Sequence, residues 1–329
     1  MDHVRLGRTG LQVSRLCLGT MTFGLQSDEQ TSFAILDRAA EAGITFIDTA
    51  DVYPMGGTLE YAGRTEVIVG RWLKGRRDEF VVATKGCSRT GPRPWQEGSS
   101  RKQLTETLED SLRRLGTDYV DLYQLHHPDP GTPIEETLSV LDDFVRAGKV
   151  RYVGCSNFQA YQVARALGHS ETLRVAKFVS VQPRYNLLFR ELERELLPLC
   201  AEEGLAVLPY NPLAGGMLSG KHQDGEPTAD TRFTVSTVRD MYRDRYWHRD
   251  VFATVNELRA VADELGLPLV TTALSWVMAN PVVTAPIIGA SRPEQLDDNL
   301  RALDVELDTD TKKRLDEITY RYRLGDATR

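Results

Sequence analysis

Ile44-Thr45-Phe46-Ile47-Asp48-Thr49-Ala50-Asp51-Val52-Tyr53 is an apolar, strand-like run that stops at a carboxylate and then reaches a phenol. The same punctuation recurs downstream. Phe80-Val81-Val82-Ala83-Thr84 runs into Lys85, and Tyr119-Val120-Asp121-Leu122-Tyr123-Gln124-Leu125 runs into His126. A polar residue at a strand's last position is not needed for packing, because the core face lies behind it. In a (β/α)8 barrel such ends converge on one rim, where the active site is built.

Working outward, strands are expected at Leu16–Gly19, Thr45–Asp48, Phe80–Thr84, Tyr119–Leu125, Arg151–Cys155, Phe178–Gln182, Ala206–Pro209 and Val283–Ile288. Helical periods lie between most of them. Ser27-Asp28-Glu29-Gln30 reads as a capping box opening a helix that ends at Gly43. Others run from about Ser100 to Leu115, Pro133 to Ala147, Gln159 to Leu167, Glu191 to Glu203 and Asp250 to Leu265. Helices following strands require parallel pairing through right-handed crossovers. Eight such strands predict an α/β fold, a closed (β/α)8 TIM barrel. Val4–Gly7 and Leu11–Ser14 flank Arg8-Thr9-Gly10 as an N-terminal β-hairpin that would plug the barrel floor.

No linker-like stretch divides the 329 residues, so residues 1–329 are expected to form one domain. A typical barrel needs about 250 residues. The excess falls in long loops on the C-terminal face, at Tyr53–Arg64, Cys87–Ser99 and a lid-like segment of about 221–249. That last segment carries Phe233, Tyr242, Tyr246 and Trp247. With Trp95 and Tyr53, Phe233 and Trp247 suggest partly aromatic substrate walls; Arg93, Arg184 and Arg232 could favour an anionic or phosphorylated carbonyl, but surface arginines are common and the expectation is that each is solvated.

Lys plus Arg number 40 and Asp plus Glu 47, giving a net charge of −7 without a dominant basic cluster. Nucleic acid and anionic membranes are therefore not expected partners. Cys17, Cys87, Cys155 and Cys200 are scattered, which predicts reduced, mostly buried thiols and a cytoplasmic location. The polar N-terminus resembles no signal peptide, and Leu269 to Gly289 is too broken by prolines to span a bilayer.

A phenol, an ammonium, a carboxylate and an imidazole on one rim make a proton donor for carbonyl/alcohol redox chemistry. At about 4 Å and an effective dielectric of about 20, an ammonium favours a phenolate by roughly 4 kcal/mol. Lys85 would thus draw the Tyr53 pKa down from about 10, with Asp48 offsetting part of the effect. The expected result is an acid poised nearer the working pH. A metal-dependent hydrolase on His126, His127 and Asp48 is disfavoured, because adjacent strand residues point to opposite faces; no metal is expected.

These motifs resemble the aldo-keto reductases. Phe46-Ile47-Asp48-Thr49-Ala50-Asp51-Val52-Tyr53 is similar to that family's Asp-plus-Tyr motif, Val82-Ala83-Thr84-Lys85 to its lysine strand, and Asp121-Leu122-Tyr123-Gln124-Leu125-His126 to its histidine strand. Gly154-Cys155-Ser156-Asn157-Phe158 matches its Gly-x-Ser-Asn-Phe signature. The resemblance implies Tyr53 as acid/base, Lys85 as its partner, Asp48 as the partner of Lys85, and His126 as the group that positions the carbonyl. It further implies that Ser156, Asn157 and Gln182 hold a nicotinamide carboxamide, with Tyr210 against the ring.

No G-x-G-x-x-G follows a strand, so a Rossmann site has no anchor. The barrel's usual phosphate site, after strands seven and eight, has suitable material. Asn211, Leu213, Gly215 and Lys221 follow the seventh strand. Gly289, Ser291 and Arg292 follow the eighth, where Ser291 to Glu294 reads as a capping box. The resemblance extends this to an adenosine 2′-phosphate site continued by Gln295, Asp298 and Asn299. Some branches carry a basic residue where Gln295 stands, and a lysine frequent earlier in that loop is absent. NADPH (NADP+) is the expected cofactor on the strength of Ser291 and Arg292, with NADH the lesser alternative.

Gln182-Pro183-Arg184-Tyr185-Asn186 and Gly215-Gly216-Met217-Leu218-Ser219-Gly220-Lys221 resemble the bacterial-type and potassium-channel-β-subunit-like branches. The expected activity is reduction of a small-molecule aldehyde, ketone or sugar carbonyl. The alternative is an NADPH-binding regulatory or sensor subunit whose catalysis is vestigial.

Overall fold

The computed structural model describes residues 1–227, 229, 231–234 and 238–324. Strands β1 (His3–Arg5) and β2 (Gln12–Ser14) pair antiparallel as the expected hairpin. Leu6 and Val13 are fully buried in one apolar cluster with Cys17, Phe46, Ala83, Leu122 and Ala206. The Arg8 amide donates to the Gly204 carbonyl at 2.9 Å.

Cys17, Phe46 and Ala206 each begin a strand of the main sheet: β3 (Cys17–Gly19), β4 (Phe46–Asp48) and β9 (Ala206–Val207). The hairpin thus packs under the strands' N-terminal ends as a floor, opposite the polar rim. The other strands are β5 (Val81–Gly86), β6 (Val120–Leu125), β7 (Val150–Ser156), β8 (Phe178–Gln182) and β10 (Ile287–Gly289). All pair parallel, in the order β10-β3-β4-β5-β6-β7-β8-β9.

A bridge between Val207 and Val283 brings the two ends of that order together. Thr284 N–H donates to Val207 O at 2.9 Å and Ile287 N–H to Pro209 O at 2.8 Å. The fold is a (β/α)8 barrel. Its last two strands are shorter than expected, because Pro209 and Pro286 lack the N–H a regular ladder needs. Pro286 contributes only its carbonyl, to Cys17 N–H at 3.0 Å.

The helices are α1 (Glu29–Glu41), α2 (Arg64–Leu73), α3 (Arg101–Leu115), α4 (Ile134–Arg146), α5 (Ala160–Leu173), α6 (Leu196–Glu203), α7 (Arg239–Tyr246), α8 (Arg249–Glu264), α9 (Leu269–Met278), α10 (Gln295–Leu300) and α11 (Thr309–Ile318). Asp28, not Ser27, caps α1 by accepting from Thr31 N–H at 2.8 Å. Helix α5 runs on past Leu167 to Leu173, because Gly168 faces open space and interrupts nothing. The expected helix from Glu191 starts instead with a short 3-10 turn, Glu191–Glu193, before α6.

Helices α2 and α9 were not anticipated. In α9, Leu269 and Thr271 to Val277 are all buried, so no polar stripe marks its period. In α2, Gly70 allows α3 to approach: a Cβ there would stand 2.5 Å from the Arg114 carbonyl oxygen. Among the described residues, no helix is long and apolar enough to cross a membrane.

Candidate active site

Asp48 ends β4, and its carboxylate is buried behind the rim. Lys85 on β5 is fully buried and places Nζ 2.5 Å from Asp48 Oδ2. The other donors of this ammonium meet the Thr49 carbonyl at 2.8 Å and the Tyr53 hydroxyl at 3.4 Å. The second Asp48 oxygen accepts from Gln182 Nε2 at 2.8 Å and Gln124 Nε2 at 3.2 Å. A buried ion pair survives only when its remaining hydrogen-bonding capacity is met in this way. Burial works to lower the Lys85 pKa, but Asp48 and Tyr53 outweigh it and the net shift is upward, so the ammonium stays charged.

Tyr53 is buried, and its pKa is raised rather than lowered. Desolvation of the phenolate is the largest cause; Lys85 opposes it, and Asp48 adds to it. The expectation of a phenol drawn toward neutral pH is therefore corrected. Lys85 is bound to a carboxylate that cancels much of its field, in a setting that penalises any new anion.

His126 lies just beyond β6, its ring edge-on to Tyr53 with centroids 5.7 Å apart. Burial first, then Lys85 and His127, hold its pKa well below the ordinary value, so the imidazole is neutral. Nδ1 lies 3.1 Å from Ser88 Oγ. The expectation that His126 and His127 point apart is also corrected. Both follow the last strand residue, so alternation no longer applies, and their rings lie nearly parallel at 6.5 Å. No group of three or more His, Cys, Asp or Glu among the described residues could hold a metal ion.

Ser156, Asn157, Gln182 and Tyr210 join one network beside the tetrad. Asn157 takes a φ of 62°, a left-handed conformation asparagine tolerates, and turns the chain at the end of β7. Its Nδ2 donates to His126 O at 2.8 Å and Ser156 Oγ at 3.1 Å, while its Oδ1 accepts from Tyr210 OH at 2.8 Å. Ser156 Oγ donates to Gln182 O at 2.7 Å.

Beyond β9, Asn211 Oδ1 accepts from Gly215 N–H at 2.5 Å and its Nδ2 donates to Tyr246 OH at 3.1 Å. Asn211 thus pins the turn from Leu213 into Gly215 and Gly216. Gly215 and Gly216 take φ of 70° and 101°, which disfavour any side chain. A Cβ on Gly216 would meet only His222 Nε2 at 3.7 Å and Lys221 Cε at 3.9 Å. Burial lowers the Lys221 pKa, and Arg292 and Arg232 lower it further, so these three cations share one neighbourhood.

Arg232 is not the solvated cation expected. Its guanidinium reaches Met21 Sδ at 3.1 Å and Tyr242 OH at 3.3 Å, and lies 3.8 Å from where a Gly289 Cβ would stand. Arg184 likewise stacks on Phe189, 3.4 Å from the ring centroid. Phe233 is fully buried against His222, Trp247 and Tyr242, so it fastens the 221–249 segment instead of walling a substrate. Trp95 is 46% exposed, on the outside of its loop.

Beyond β10, the expected capping box at Ser291 to Glu294 does not form. Helix α10 begins at Gln295, whose Oε1 returns to Ser291 N–H at 2.8 Å and Ser291 Oγ at 3.3 Å. Pro293, with no N–H of its own, sits within that turn. Asp298 is exposed, and its carbonyl accepts from Thr271 Oγ1 at 2.8 Å. Asn299 is buried; its Nδ2 donates to Gln295 O at 2.6 Å, while its Oδ1 has no partner among the described residues.

Gln124, Ser88 and Arg232 are the site's neighbours that the motifs did not flag. Gln124 carried a signal, a polar side chain inside an apolar strand. Ser88 and Arg232 lie in loops without periodicity and carried none. Elsewhere, an open groove of about 820 Å³ is lined by Tyr185, Arg190, Trp276, Lys312 and Asp316. Arg190 is already tied to Glu193 and Asp316 at 2.8 and 2.9 Å, which makes the groove a packing seam.

A sequence model described as the Aldo/keto reductase family matches residues 15–319. The chain is 40% identical to "Uncharacterized oxidoreductase YrpG" of Bacillus subtilis, covering 97% of this chain and 96% of that protein. It is 37% identical to "Probable voltage-gated potassium channel subunit beta" of Arabidopsis thaliana, covering 93% and 92%. It is 34% identical to "Aldo-keto reductase YhdN" of Bacillus subtilis, covering 90% and 87%.

Proposed function

The chain belongs to the aldo/keto reductase family and is an oxidoreductase by that membership, and from that premise we propose that it reduces an aldehyde, ketone or sugar carbonyl with NADPH, Tyr53 supplying the proton. The observation that carries this reading is one buried ammonium, Lys85, touching both the Asp48 carboxylate and the Tyr53 hydroxyl.

The Tyr53 hydroxyl donates its proton to the substrate oxygen as the alcohol forms. The phenolate left behind is stabilised by the Lys85 ammonium, which Asp48, Gln124 and Gln182 hold in place. A neutral His126 can direct a ring N–H at the same oxygen without adding a positive charge beside Lys85. Bound NADPH supplies the hydride.

The residues present fit such a cofactor. Gly216 leaves a cradle open to a phosphate, with Lys221, Arg232 and Arg292 around it, while Gly215 lets the turn pack against the Tyr242 ring. Asn299 Oδ1, without a partner among the described residues, is a buried acceptor suited to an amino donor such as that of adenine. Ser156, Asn157 and Gln182 already bond to one another, so a carboxamide would meet a pre-set row of polar groups. Arg292 and Ser291 favour the 2′-phosphate of NADPH over NADH. The four free, buried cysteines fit a cytoplasmic location.

A fluorescence titration with NADPH and, separately, NADH tests the cofactor assignment. Tighter NADPH binding, with Arg292→Ala losing NADPH affinity more than NADH affinity, supports it. Equal or tighter NADH binding reassigns the cofactor, and binding of neither removes the redox reading.

The likeness to a probable channel β subunit favours a second reading, a cofactor-binding regulatory subunit. It expects tight NADPH binding, negligible turnover over a broad carbonyl panel, and a stable protein partner that co-purifies.

A further inference from the structure

The turn from Asn211 to Gly216 is a strained piece of backbone. Asn211, Ala214, Gly215 and Gly216 all take left-handed conformations, with φ of 59°, 51°, 70° and 101°. At Asn211 and Ala214 a Cβ makes that conformation costly, and such strain persists only where the surroundings enforce it. Two bonds close the turn on itself, Ala214 N–H to Asn211 O at 3.0 Å and Gly216 N–H to Leu213 O at 2.9 Å. Gly215 N–H instead donates to the Asn211 side chain, so the turn is only as firm as that amide.

The amide is held by Tyr246, the last residue of α7, whose side chain is fully buried. The Tyr246 hydroxyl accepts from Asn211 Nδ2 at 3.1 Å and from Asn186 Nδ2 at 3.2 Å. Both amides are oriented by their oxygens: Asn211 Oδ1 receives Gly215 N–H, and Asn186 Oδ1 receives Leu188 N–H at 2.9 Å. Each NH2 group therefore faces the phenol. Asn186 Nδ2 also donates to Asn211 O at 2.9 Å, so one buried phenol oxygen joins the loops beyond β8 and β9. Earlier on the same helix, the Tyr242 ring stands 2.6 Å from where a Gly215 Cβ would lie. Helix α7 thus supports the turn at two points.

We propose that Tyr246 is a positioning residue for the cofactor's phosphates, holding the Asn211 amide so that the turn keeps Gly216 open to them. The 221–249 segment then serves the cofactor twice, through Lys221 and Arg232 beside the phosphates and through α7 beneath the turn that receives them. The inference deepens the NADPH reading and rests on it for the ligand, but the hold on the turn can be read without any cofactor.

The test uses full-length wild type, Tyr246→Phe, Asn211→Gly and the double variant, with NADPH affinity from a fluorescence titration, steady-state carbonyl reduction, and hydrogen exchange at the Gly215 amide by NMR. Tyr246→Phe should bind NADPH about five- to tenfold more weakly, as expected for one lost neutral hydrogen bond. Its loss should fall on KM for NADPH rather than on kcat, and its Gly215 amide should exchange faster. Asn211→Gly, which keeps the left-handed backbone and removes the amide, should behave alike. Because Tyr246 acts through Asn211, the double variant should lose no more than Asn211→Gly alone. Unchanged NADPH affinity in Tyr246→Phe, or losses that multiply in the double variant, overturns the proposal. Should Tyr246→Phe fail to fold, unchanged affinity in Asn211→Gly overturns it as well. If wild type binds no NADPH but Gly215 exchange quickens in Tyr246→Phe, the hold on the turn stands and the NADPH reading falls.

Discussion

Lys85 Nζ stands 2.5 Å from Asp48 Oδ2, with the lysine side chain sealed from solvent and the carboxylate nearly so. Taking one charge of such a pair away leaves the other buried and uncompensated. Lys85→Met should therefore destabilise the fold by about 3–5 kcal/mol in urea unfolding. Lys85→Met/Asp48→Asn, which removes both charges, should recover part of that loss. Equal stability of wild type and Lys85→Met would mean that the pair contributes nothing to holding the rim.

The pH dependence of reduction follows from the two shifts at the site. Burial raises the Tyr53 pKa despite Lys85, so the acid stays protonated across the ordinary working range. Burial lowers the His126 pKa, so the imidazole does not charge near 6.5. The rate constant for reduction should be flat from about pH 6.5 to 9 and fall only near or above the unperturbed phenol value of about 10. A break near about pH 8 would show Lys85 dominating over burial.

The 221–249 segment carries its own acid sensitivity. Burial, then Lys221, pushes the His222 pKa down to about 4. The unfolded chain takes up this proton near about pH 6.5, whereas the folded chain does not until about 4. Stability from the neutral ring is thus full above about pH 6.5 and lost as pH falls toward 4. His222→Phe should flatten the fall in Tm between about pH 7 and 5, measured by scanning calorimetry. Parallel Tm–pH curves for wild type and variant would contradict this.

Arg232 reaches out of its own segment to Met21 and Gly289, in the neighbourhood it shares with Lys221 and Arg292. A charge-assisted contact to a phosphate contributes about 1.5–3 kcal/mol. Arg232→Met should weaken NADPH binding by at least about tenfold in a fluorescence titration, with a shallower salt dependence. Undiminished affinity would place the phosphates away from this residue.

Much of the barrel was legible because strand ends repeat one pattern: Asp48, Lys85 and His126 each follow an apolar run. What escaped did so for local reasons. Helix α9 is buried on nearly all sides and shows no period, and Pro209 and Pro286 shorten strands that read as longer. Phe233 looked like a substrate wall because composition does not distinguish a ring facing a ligand from one fastening a loop. The sign of the Tyr53 shift depended on burial and on Asp48 together, which spacing does not weigh. Ser88 was silent because its placement depends on the backbone of Cys87.

The account turns on Tyr53 as the proton donor. The most direct measurement follows NADPH absorbance over a panel of aldehydes and ketones, for wild type and Tyr53→Phe, with NADPH affinity measured in parallel. The account predicts turnover by wild type, and a loss of at least ~10²-fold in Tyr53→Phe at nearly unchanged NADPH affinity. Turnover by Tyr53→Phe equal to wild type, or no oxidation of NADPH by wild type with any carbonyl, would contradict it.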